Sequence, residues 1–177
     1  MEMSETELKA KRALLVTHYA TPFAVVLVAA GIVLSQPLSP YREISEGLLL
    51  LSIGFNYAAI GWIEKHKATS LWLIRLRLVL NLAVNIGLVY MLEGFWPPMW
   101  LLLALTPIAS AIYGSRAKTL LASFSVAAVL LAIHALHGPH SPLEWGVECT
   151  NALFIILLSL LINEFLRLPA QSAVSGS

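Results

Sequence analysis

Six apolar stretches take up most of the chain's 177 residues: roughly Ala13–Leu34, Ile44–Ile63, Leu71–Leu92, Pro97–Tyr113, Ala117–Leu136 and Glu144–Phe165. Each is close to the ~20 apolar residues that cross a hydrocarbon core of ~30 Å. Backbone groups in lipid must be satisfied within the segment, so the stretches are expected as helices. Composition agrees: 58% of residues are hydrophobic, 12% are charged, and mean hydropathy is +0.79. A soluble domain carries about a quarter charged residues, and disorder needs low hydrophobicity with high charge. The expected fold class is all-α, a polytopic integral membrane protein. It is expected as a six-transmembrane-helix bundle with both termini cytoplasmic. Residues 1–12 read as a cytoplasmic N-terminal helical lead-in. Residues 13–168 read as the transmembrane domain, and 169–177 as a flexible C-terminal tail.

The orientation comes from the 11 basic residues. Lys9, Lys11 and Arg12 precede the first stretch. Lys65, Lys67, Arg75 and Arg77 flank the second-to-third connection. Arg116 and Lys118 follow the fourth stretch, and Arg167 follows the sixth. All of these fall on one side, and Arg42 alone falls on the other. Lys and Arg in short loops mark the cytoplasmic face. Trp62 and Trp72 bracket the inner loop, while Tyr41, Trp96, Trp100 and Trp145 lie near the outer ends. That is the aromatic belt of a membrane protein.

Turn chemistry divides the stretches. Ser4 with Glu7, and Ser141 with Glu144, read as capping boxes. Ser39-Pro40 and Ser141-Pro142 read as an N-cap followed by proline at the first helical position. Gly94 and Trp96–Pro98 form the turn before the fourth stretch. Gly114 and Gly138 stand where helix C-caps are expected, and Pro169 is expected to stop the last helix.

Several chemistries are excluded. All ten acids are Glu, which removes aspartate-dependent membrane enzymes. The single Cys149 cannot form an internal disulfide or a redox pair. No nucleophile elbow, P-loop or His-Glu-x-x-His occurs. Net charge is +1, so nothing points to nucleic acid. The expectation is a non-enzyme.

What remains is a set of polar residues at membrane depth, each costly there and therefore a functional candidate. His18, Arg77 and Glu164 lie toward the cytoplasmic side. Arg77, Asn81 and Asn85 fall at i, i+4 and i+8 on one helix face, which should turn toward other helices. An Arg77–Glu164 pair is geometrically open. Asn56 and Asn81 share a depth and can bond to each other. Tyr90, His134, Glu148 and Asn151 lie toward the outer side. His134 and His137 share a helix face and, with His140 and Glu148, compose a weak zinc or copper pattern. Against it stand the Gly138-Pro139 interruption and spacing that matches no standard metal motif. Structural bonding between helices is the expected role of most of these residues.

Asn56–Leu121 resembles the six-span N-terminal sensor region of bacterial membrane histidine kinases. The similarity is to the redox-responsive RegB/PrrB type that regulates photosynthesis and respiration genes. The residues that carry it are Asn56-Tyr57 before a basic turn and the third stretch from Arg77 to Tyr90. A turn then leads to Trp100-Leu-Leu-Leu-Ala-Leu-Thr-Pro107-Ile-Ala-Ser-Ala-Ile-Tyr113-Gly, followed by Arg116. Thr150–Leu168 looks like the family's last span. The redox kinases carry Gly-Gly-x-x-Asn-Pro-Phe in the outer turn, implicated in quinone sensing. The matching stretch here is Glu93-Gly94-Phe95-Trp96-Pro97-Pro98. The resemblance implies a sensor region, expected here to stand without the family's kinase domains.

The expected function is thus a membrane module without catalysis, an orphan sensor-like domain or an accessory subunit in the bacterial inner membrane. Its expected partners are the lipid bilayer and another membrane protein or a second copy of itself. No cofactor is identified, and a lipophilic ligand stays open. Two alternatives stand beside this. One is a transport component like the six-span substrate-binding subunits of energy-coupling vitamin transporters. The other is a redox, quinone- or pigment-binding subunit built around Tyr90, His134 and Glu148.

Overall fold

The computed structural model describes residues 5–66 and 71–172. Side chains are described for 19–59, 61–62, 76, 79–112 and 114–166. The described residues form six α-helices, with no strand among them. They are α1 (Glu5–Ser35), α2 (Tyr41–His66), α3 (Leu71–Leu92), α4 (Trp100–Tyr113), α5 (Arg116–Leu136) and α6 (Pro142–Ser172). A 3₁₀ turn, Pro97–Met99, leads into α4.

Two of these helices, over Arg116–Leu136 and Pro142–Leu166, are long and apolar enough to cross a membrane. Tyr19–Ser35, Val79–Leu92 and Pro97–Ile112 are shorter apolar helical segments. Large apolar side chains stand exposed on most helices. Examples are Val26 and Val33 on α1, Leu50 and Tyr57 on α2, Leu121 on α5, and Leu153 and Leu157 on α6.

The chain divides into two compact units. Residues 23–103 make up one. Within it α2 and α3 form an antiparallel hairpin, since Leu48 lies against Gly87 while Asn56 bonds Asn81 further along. Asn56 Nδ2 donates to Asn81 Oδ1 at 2.9 Å, and Asn81 Nδ2 donates back to Asn56 Oδ1 at 3.1 Å. Asn56 also donates to the Ser52 carbonyl at 2.9 Å. One turn along α3, Asn85 Nδ2 donates to the Leu102 carbonyl of α4 at 3.2 Å. Arg42, at the start of α2, bonds Glu46 one turn on at 2.9 Å. That carboxylate raises the guanidinium's pKa, by its hydrogen bond first and its charge second.

The other unit comprises residues 1–22 and 104–177. Its core is the α5–α6 hairpin, whose contacts run antiparallel. Arg116 meets Glu164 at 3.3 Å near one end, and His134 meets Trp145 at the other. Between α4 and α5, Gly114 N–H donates to the Ser110 carbonyl at 2.7 Å. A Cβ on Gly114 would overlap that carbonyl oxygen, so the turn accepts only glycine. Asn163 of α6 donates to the Ala111 carbonyl at 2.9 Å and ties α6 to the end of α4. Buried Ser123 and Ser159 are satisfied by carbonyls of their own helices, both at 2.7 Å.

Several turn readings hold and two do not. The Ser141 box is formed: Glu144 N–H donates to Ser141 Oγ at 3.3 Å, and Ser141 N–H to Glu144 Oε2 at 2.6 Å. Gly138 follows the α5 C-cap with φ of 116°, the left-handed region that favours glycine. Ser4 lies outside the described residues. Ser39-Pro40 does not cap α2. Those residues form a turn closed by Tyr41 and Arg42 N–H groups on the Leu38 carbonyl, and the helix begins at Tyr41. Nor does Pro169 stop α6, which continues to Ser172. Inside a helix proline removes one amide donor and its ring crowds the carbonyl four residues back, which strains the helix without necessarily ending it. Pro22 and Pro107 are likewise inside α1 and α4.

Candidate functional site

The densest polar arrangement among the described residues of α5 and α6 lies at the end of the hairpin nearest its loop. It starts from His134, in the last turn of α5 and 7% exposed. Three residues later the helix ends and Gly138 turns the chain back. That return lays the His140 ring on the His134 ring, with centroids 3.7 Å apart and planes 20° from parallel. His140 Nε2 is 2.7 Å from the His134 carbonyl oxygen. A carbonyl only accepts, so this nitrogen carries the proton and donates. His140 Nδ1 faces Glu144 Oε2 at 3.8 Å. Trp145, in the first turn of α6, meets the His134 ring edge-on at 5.0 Å and 88°.

Glu148 lies one turn further along α6, 8% exposed. One of its carboxylate oxygens and a ring nitrogen of His134 approach within 4.8 Å. Asn151 Nδ2 donates to Glu148 Oε1 at 3.4 Å. Glu148 Oε2 is buried and has no hydrogen-bond partner among the described residues. Trp145, Glu148 and Asn151 are spaced by three, so they share a face of α6. Burying a carboxylate oxygen without a partner is costly. A cation beside Glu148 offsets that cost.

The candidate residues separate into three groups. Asn56, Asn81 and Asn85 are bonded to neighbouring helices, with the mutual Asn56–Asn81 bond the sequence allows. Glu164 pairs with Arg116, an exposed ion pair of small energetic weight. The side chains of His18 and Arg77 lie outside the described residues. Tyr90 is near the end of α3 and 39% exposed. His134, Glu148 and Asn151 come together, and His137 does not join them. His137 is exposed and its Nδ1 donates to the Ile133 carbonyl at 2.9 Å. Helix periodicity would pair His134 with His137, but the glycine turn substitutes His140. Trp145, read from the sequence as an interfacial anchor, is part of the enclosure. Its signal was present in the spacing to Glu148 and in the capping box that starts α6.

Comparison of the chain with protein-family models, curated proteins and solved structures finds no match.

Proposed function

We propose that this chain is a six-span integral membrane module of the bacterial inner membrane, with both termini cytoplasmic. In this reading it works without catalysis, as a sensor-like domain or an accessory subunit, through a partner membrane protein or complex. The observation that carries the reading is the distribution of polar and apolar side chains. Asn56, Asn81, Asn85 and Asn163 spend their amides on neighbouring helices, while Leu, Val and Phe side chains stand exposed on the helix surfaces. A large exposed apolar surface marks contact with lipid or protein. Bonds between side-chain amides and neighbouring helices are the usual glue of membrane bundles. The basic residues give the orientation, and the outer exception, Arg42, is held by Glu46.

The role through a partner rests on the resemblance to kinase sensor regions and on the absence of a nucleophile, base or phosphate motif. Purification in mild detergent, with mass spectrometry and an absorption spectrum of what accompanies the chain, tests it. A stoichiometric membrane-protein partner is expected. A bound vitamin-like molecule would favour the transport reading, and a haem, pigment or quinone the redox reading; either would overturn the proposal. Tags at both termini are expected to resist labelling from outside intact cells. Labelling of both would overturn the orientation.

A further inference from the structure

We propose that the loop end of the α5–α6 hairpin binds a divalent transition-metal ion of the zinc class, with His134 and Glu148 as its protein ligands. The inference deepens the sensor-like or accessory reading by naming what the module would take. It rests on the hairpin's geometry, and neither the partner nor the membrane orientation enters it.

Three observations lead there. First, Glu148 Oε2 is buried without a hydrogen-bond partner among the described residues, while Oε1 accepts from Asn151. A ligating carboxylate has this form, with one oxygen held by a neighbouring donor and the other free for the ion. Second, a His134 ring nitrogen is already within 4.8 Å of a Glu148 oxygen. Two ligands of one tetrahedral zinc, at about 2.0–2.2 Å from it, are about 3.4 Å apart. Small side-chain rotations close that difference. Third, the His134 ring is held from two sides, by the stacked His140 and the edge of Trp145. The His140 N–H bond to the His134 carbonyl fixes the loop over the ring.

The donor set selects the ion. Imidazole with carboxylate suits zinc and its first-row neighbours, whereas calcium and magnesium require oxygen shells. Cys149 is next to Glu148 in sequence but exposed, so the site is expected to contain no thiolate. His140 is stacked parallel to His134 and so cannot direct its lone pair at the same ion; it covers the site instead.

The test uses the full chain in mild detergent, stripped with a chelator and titrated with zinc chloride. Bound zinc is measured by equilibrium dialysis and elemental analysis. Saturation near one zinc per chain is expected. Glu148→Gln, close to isosteric, should weaken binding at least about tenfold, the smallest loss usual for a metal-site partner. His137→Ala, outside the cluster, should bind as the wild type does. X-ray absorption should show nitrogen and oxygen at about 2.0–2.2 Å and no sulfur near 2.3 Å. Absence of saturable binding, unchanged affinity in Glu148→Gln, or a sulfur shell would each overturn the site. None of these results depends on whether a partner protein co-purifies, so the metal proposal and the module proposal fail separately.

Discussion

In the α2–α3 hairpin the two central amides close on one another. Asn56 and Asn81 exchange two hydrogen bonds, and each amide oxygen and nitrogen has its counterpart across the helix pair. In the α5–α6 hairpin the loop end is built differently. Its rings stack and its backbone carbonyls are satisfied, yet a buried Glu148 oxygen has no hydrogen bond among the described residues. Both hairpins are antiparallel, both join apolar helices through a short connection, and both bury polar side chains. A closed pair fixes register and has nothing left to offer. An open carboxylate beside an imidazole retains chemical capacity.

The comparison breaks most visibly at Asn56. Asn56→Leu leaves Asn81 with an unmatched amide in the helix pair. A buried polar group without its partner costs roughly 1–3 kcal/mol, and interhelical amide bonds in membrane bundles lie at the lower end of that range. Unfolding in mixed detergent micelles should show the loss. The Asn56→Leu/Asn81→Leu double variant should be more stable than the sum of the two single changes predicts. That non-additivity is the signature of a pair in contact. Additive losses would mean that the two amides stabilise the chain separately, and the closed-pair description would fall.

Comparable in size is Gly138→Ala. The left-handed conformation at this residue costs an L side chain about 1–2 kcal/mol. Here the change also relaxes the turn that places His140 on His134. The expected result is a less stable hairpin with altered Trp145 fluorescence, because Trp145 touches the same rings. A stable variant with unchanged fluorescence would show that the stacked arrangement does not depend on the turn. Ser141→Ala follows, at about 1 kcal/mol, since it removes the hydroxyl that accepts from Glu144 N–H at the start of α6. Glu144→Gln keeps an acceptor for the Ser141 N–H and should cost less.

How much of this was legible in the sequence follows from the range of each interaction. The α3 limits and the α4 end coincide with the apolar pattern, with Gly94 and Pro97–Pro98 after α3 and Gly114 after α4, while a 3₁₀ turn over Pro97–Met99 delays the α4 start to Trp100. The Ser141–Glu144 box is a matter of three residues and was readable. The Asn56–Asn81 bond was readable too, because the two residues lie at comparable depth in successive apolar stretches. Ser39 misled, since the Leu38 carbonyl rather than the Ser39 side chain collects the first free amides of α2. The cluster at His134 was only half visible. Glu148 and Asn151 stood out as polar residues on an apolar helix. That His140 rather than His137 joins His134 depends on a backbone reversal at Gly138, which helix periodicity does not encode.

The smallest expected effect on stability is also the one that separates the two hairpins most cleanly. Glu148→Gln removes a charge-capable oxygen that has no hydrogen bond to lose among the described residues. The Gln carbonyl can still accept from Asn151. In metal-free detergent the variant should therefore match the wild type or exceed it slightly, in contrast to Asn56→Leu. Adding zinc should reverse the order. A ligand that binds only the folded state raises its stability with concentration, by about 2.7 kcal/mol at a hundred times the dissociation constant. The wild type would gain that increment, and Glu148→Gln would gain less because its affinity is lower. If the variant is destabilised without metal, Glu148 is a bonded structural group like Asn56, and the contrast between the hairpins disappears. If zinc stabilises both chains equally, the ion binds elsewhere. A reversal of order on adding zinc is the outcome that neither a structural carboxylate nor a metal bound at some other surface would produce.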